Sequence, residues 1–129
     1  MASETLSDLQ FALMRALWRV GEGNLSMVQA ELEATGTSLA PTTVATMLKR
    51  MERKGWVSHR REGRQFIYFA NRSQEEMTGS VISRITDSLF GGDVGALLCQ
   101  LVNSKDVSAD ELAQVKQMIE AKERSSHGN

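Results

Sequence analysis

A single cysteine, Cys99, in 129 residues excludes an internal disulfide, and with it the stapled frameworks of small secreted domains. Its setting in GALLCQLV is apolar, which predicts a buried, unreactive thiol in a reducing compartment. No run of eighteen apolar residues is present, and the N-terminus lacks a basic, apolar leader with a small-residue cleavage site. The expectation is a cytoplasmic protein with no direct membrane insertion. Catalytic constellations are equally scarce. His59 lies among basic residues and His127 in a polar tail, and no motif brings either to Cys99. His59 reads as a phosphate contact or a surface residue rather than a catalytic base. Two histidines and one cysteine so far apart lack the spacing of a zinc site. No glycine-rich loop precedes a lysine at Walker spacing, and Gly91-Gly92 reads as a helix break. The carboxylates are scattered over helix faces, where solvation and i,i+4 pairing account for them. Together these absences predict no enzyme activity, no metal and no cofactor.

What is present fits one domain, or a small domain with an appendage. Hydrophobic residues make up 41% and charged residues 24%, the balance of a folded chain that buries a core. Net charge is −1, but unevenly spread: residues 1–72 carry ten Lys/Arg and seven Asp/Glu, residues 73–129 five and nine. Residues 42–72 alone hold eight basic and two acidic side chains. Local charge sets the field a polyanion meets.

That basic stretch opens with PTTVATMLKRMERK, residues 41–54. Proline suits the first turn of a helix, because its missing N–H would have no partner there. Val44, Met47, Leu48 and Met51 then form one apolar stripe at helical spacing. The opposite face carries Thr42, Thr43, Thr46, Lys49, Arg50 and Arg53. Short hydroxyls where a helix must approach closely, followed by cations that reach phosphates, are what a helix entering a DNA major groove requires.

The flanking segments complete a pattern. Ser7 to Val20 reads as an amphipathic helix with Ser7 as N-cap and Leu9, Leu13, Leu17 and Val20 on one face, ended by GEG at 21–23. A linker, Asn24-Leu25, follows, where domains of this arrangement often place a brief strand. Ser26 reads as the N-cap of a second helix stopped by Gly36. The second and third helices then have the spacing of a helix-turn-helix. After Gly55 the pattern turns extended: WVSHRRE and QFIYFAN around Gly63-Arg64 predict a β-hairpin with a basic tip. Three helices and such a hairpin form a winged helix-turn-helix, the wing's Arg61 and Arg64 lying along phosphates or a minor groove.

Ser73-Gln-Glu-Glu76 and Ser108-Ala-Asp-Glu111 are capping boxes that start two further helices, with the apolar run Val94 to Val102 between them. The tail ERSSHGN has no apolar anchor and is expected to fray. Ile85, Leu89, Leu97, Leu98, Leu101, Leu112, Val115 and Ile119 exceed what one small winged domain could cover, and a second copy of the chain satisfies them best. The expected fold is therefore mainly α with a small β-hairpin: a winged helix-turn-helix domain at 1–72 and a helical dimerisation region at 73–129.

LSDLQFALMRALW, PTTVATMLKRMERKGWV, REGRQFIYF and LFGGDVGALLCQLV with VSADELAQVKQMI, in this order, resemble the penicillinase-repressor (BlaI/MecI/CopY) family of bacterial transcriptional repressors over residues 6–120. The resemblance implies a homodimeric winged-helix repressor on a dyad-symmetric double-stranded operator, released by an inducing signal. Thr43 and Thr46 match the family's base-contacting hydroxyl positions, whereas Thr42 falls where some relatives have a longer side chain. The copper-responsive members use cysteine pairs, and this chain has Cys99 alone. In antibiotic-responsive members a membrane sensor protease triggers cleavage in the dimer helix, often at Asn-Phe; the comparable segment here reads CQLVN. Gln10 replaces an acidic residue common in the first helix and is expected on a solvent face. The alternative function is a winged-helix interaction module without specific DNA reading, which would carry exposed apolar anchors on the third helix instead of threonines and cations.

Overall fold

A computed structural model describes residues 7–127. The chain runs α1 (Asp8–Val20), β1 (Glu22–Gly23), α2 (Leu25–Ala34), α3 (Pro41–Arg53), β2 (Val57–Glu62), β3 (Gln65–Ala70), α4 (Gln74–Phe90), α5 (Val94–Val102) and α6 (Ala109–His127). Its contacts divide it into two units, one ending at Gly79 and the other beginning at Ser80, so the division falls inside α4.

In the first unit three helices surround a core of Leu13, Met14 and Leu17 from α1, Val28 and Leu32 from α2, and Val44, Leu48 and Met51 from α3, all fully buried. Each such side chain contributes about 1.5–3 kcal/mol when removed from water. The stripe expected on α3 is thus the stripe it buries. α1 starts with a capping box: the Gln10 backbone N–H donates to Ser7 Oγ, and Gln10 Oε1 accepts from the Ser7 N–H. Gln10, expected on a solvent face, is also a capping partner, and Lys54 Nζ lies 3.5 Å from its Oε1.

α2 begins earlier than the sequence predicts. Asn24, not Ser26, is the N-cap, its side chain accepting from the Met27 N–H at 2.9 Å. The brief strand is Glu22–Gly23 rather than the Asn24-Leu25 linker. Gly23 is buried there, and an added Cβ would stand 2.6 Å from a Val20 methyl carbon. Only glycine permits that approach.

The sheet is antiparallel in the order β1-β3-β2. β2 and β3 pair from Val57 opposite Ala70 to Glu62 opposite Gln65. Gly63 (φ +63°) takes the first of the two turn positions between them, the place a type II′ turn reserves for glycine. Past β3, Trp18 Nε1 donates to the Arg72 carbonyl at 2.9 Å, and the Arg72 guanidinium stands 4.8 Å from the Trp56 ring centroid. The Ser73–Glu76 capping box forms, and Met77 is buried, so the first turns of α4 belong to the first unit's core.

The second unit contains the rest of α4 with α5 and α6. Among its described residues only Thr86 is buried, its hydroxyl donating to the Ile82 carbonyl. α5 meets α4 at 97° after the Gly91-Gly92 break. α6 starts with the expected capping box, and the Ser108 N–H holds the Glu111 carboxyl below its usual range. Two expectations fail here. Cys99 is exposed rather than buried, because α5 is apolar on all sides and a single chain covers too little of it. The tail does not fray at residue 123 but continues α6 to His127, because adding residues to an existing helix avoids the cost of nucleation; 128–129 lie outside the described residues. No single helix among the described residues is long and apolar enough to cross a membrane.

Candidate nucleic-acid interface

α3 owes its position to its buried stripe, and the same stripe fixes what faces outward. Thr42, Thr43, Thr46, Lys49, Arg50 and Arg53 are all exposed, and no large apolar side chain of α3 is. The N-terminus is capped by no side chain: Ala40 stands at the N-cap and Pro41 opens the first turn. Its free N–H groups and the helix dipole favour negative charge at that end. Thr42, Thr43, Thr46, Met47 and Arg50 form one wall of a cleft of about 410 Å³, with the N-cap Ser7 and Leu9 and Gln10 of α1 opposite.

The threonines differ in what they can offer. Thr46 Oγ1 donates to the Thr42 carbonyl at 2.9 Å, which occupies its one hydrogen. What remains to face outward is an oxygen that accepts and a methyl group. Thr42 and Thr43 make no side-chain hydrogen bond among the described residues.

The cations also divide. Lys49, Arg50, Arg53, Arg61 and Arg64 form no ion pair among the described residues. Arg60 does: it reaches Glu22 Oε1 at 2.7 Å and Glu62 Oε2 at 2.8 Å, and these hydrogen bonds push its pKa further up. Strand parity explains the difference between neighbours. Arg60 stands opposite Ile67, on the sheet face that also carries Glu22; Arg61 stands opposite Phe66, on the other. Arg61 lies 5.7 Å from the Phe66 ring centroid, a cation–π separation that leaves its donors available.

His59, expected as a phosphate contact or a surface residue, is engaged by Glu52 from the last turn of α3. Its ring lies 4.4 Å from that of Phe66 and 5.8 Å from that of Tyr68. Burial pushes the Tyr68 phenol up, and the Glu52 carboxylate adds to this. One signal for the pairing was legible: Glu52 is the lone acidic residue on a helix otherwise charged by cations. No group of three potential metal ligands occurs among the described residues.

The expected dimerisation residues lie in the second unit. Ile85, Leu89, Leu98, Leu101, Leu112, Val115 and Ile119 are exposed, Leu89 at 75%, while Leu97 is half-buried. Ile82, Val94, Val102 and Met118, absent from that set, are exposed as well.

The penicillinase repressor family model matches residues 6–121. The penicillinase repressor of Bacillus licheniformis is 26% identical over 115 residues, spanning 89% of each chain. The transcriptional regulator BlaI of Mycobacterium tuberculosis (strain CDC 1551 / Oshkosh) is 29% identical, over 96% of this chain and 88% of its own. Among solved structures, hsRosR-S4 aligns over 95% of this chain and 94% of its own with a TM-score of 0.54; at 17% identity, that is a likeness of fold alone. With its winged helix, the exposed cations of α3 and a family match that spans both units, the chain belongs to the penicillinase repressor family of DNA-binding transcriptional repressors.

Proposed function

We propose that the protein represses transcription as a homodimer on a dyad-symmetric operator, each protomer reading one half-site with α3 and clamping the backbone with its wing. The observation that carries this reading is the outward face of α3: three threonines and three cations free of ion pairs, with no exposed apolar anchor. An interaction module would present apolar anchors there. Thr42, Thr43 and Thr46 are the base readers, and Lys49, Arg50, Arg53, Arg61 and Arg64 the phosphate contacts. The exposed apolar residues of α4, α5 and α6 hold the two protomers together. Release follows from an inducing signal that breaks or spreads these helices, proteolysis through a membrane sensor system being one route. The protein works in the cytoplasm, where its operator is, and needs no cofactor.

Two substitutions test the division between readers and positioners. Arg64→Ala is expected to weaken binding to all DNA sequences alike. It should also flatten the salt dependence by about one phosphate per protomer, measured as the slope of log affinity against log salt. Thr46→Ala is expected to keep that slope and lose about 1 kcal/mol of discrimination at one base pair, measured on a panel of operators with single changes. Because its hydrogen is occupied by Thr42, the base lost from the preference is one that offers a donor or a methyl group, such as adenine, cytosine or thymine. Indistinguishable behaviour of the two variants contradicts the assignment.

A further inference from the structure

We propose that Glu52 and His59 are positioning residues for the wing, fixing the Arg61 guanidinium in the place from which it meets DNA. The inference rests on the DNA-binding reading above. It starts from a continuous set of contacts between two elements that reading assigns to DNA. Glu52, in the last turn of α3, holds His59 Nδ1 on β2. The His59 ring packs on Phe66 of β3 at 4.4 Å, and Arg61 lies over the same Phe66 ring at 5.7 Å. The pairing register, His59 opposite Tyr68 and Arg61 opposite Phe66, puts these side chains on one face of the sheet. The Glu52 and His59 side chains are only 30% and 33% exposed, so solvent screens their interaction less than that of a fully exposed pair.

A carboxylate on a DNA-facing helix otherwise lacks a reason. Left alone it repels phosphates, and removing it would strengthen binding. A positioning role predicts the opposite sign.

The test is Glu52→Gln, with His59→Gln as a second variant, each alone and combined with Arg61→Ala, in the full-length protein. In the free protein, nuclear relaxation of the Arg61 Nε–H is expected to show a looser side chain in Glu52→Gln. On operator DNA, Glu52→Gln is expected to weaken binding about three- to fivefold, the range for a partly exposed pair. It should cause no such loss once Arg61 is alanine. An equally ordered Arg61 in the variant, stronger binding, or the same loss with and without Arg61 overturns the inference. If the unaltered protein binds operator no better than unrelated DNA, the functional reading falls instead, and Arg61 relaxation in the free protein still decides the positioning role.

Discussion

Leu98→Asp is expected to turn the protein into a monomer and to lower its operator affinity about 10²- to 10⁴-fold, with the winged domain still folded. Leu98 is 52% exposed in the single chain, so a carboxylate there stays in water and costs the protomer little. At a protomer interface the same carboxylate would be desolvated without a partner, at several kcal/mol. The loss of DNA affinity follows from geometry alone. Two linked reading heads bind the second half-site as an intramolecular step, and a monomer loses that gain in effective concentration, worth about 10²–10⁴. Sedimentation gives the mass and a gel shift the affinity. A monomeric Leu98→Asp protein with full operator affinity would show that the reading heads act singly.

Leu48→Ala is expected to cost about 2–5 kcal/mol of stability, the range for a buried leucine whose cavity only partly collapses. Leu48 is fully buried on the stripe by which α3 rests on α1 and α2, so the loss falls on the element that carries the proposed reading face. Against the total of about 5–15 kcal/mol that holds a domain together, this is a large fraction. Thermal unfolding should move down by about 10 °C or more. Thr46→Ala, two residues away on the exposed face, should stay within about 0.5 kcal/mol. Equal melting of the two variants would mean that the helix is turned the other way.

Much of this was legible from residue order because the relevant signals are local. Pro41 and the Val44–Met51 stripe locate α3 and its orientation, Gly63 locates the hairpin turn, and the serine–glutamate pairs at 73–76 and 108–111 locate two helix starts. What was not legible depends on competition or on contacts through space. Asn24 and Ser26 are both good caps, and the pairing of Glu22–Gly23 with β3 decides for the earlier one. Arg60 and Arg61 look equivalent until the β2–β3 register sends one to Glu22 and the other to Phe66. The Thr46 hydroxyl turning back to Thr42, and Glu52 reaching His59 across Gly55, are side-chain choices that no periodicity encodes. The apolar setting of Cys99 indicated burial, but an apolar helix is buried only if something covers it.

The most direct test of the account is a titration of the purified protein on the DNA upstream of its own gene, by footprinting with unrelated DNA in excess, with the mass of the bound species measured alongside. The account predicts a dimer protecting one dyad-symmetric site. Protection no better than on the competitor, or a single half-site held by a monomer, would contradict it.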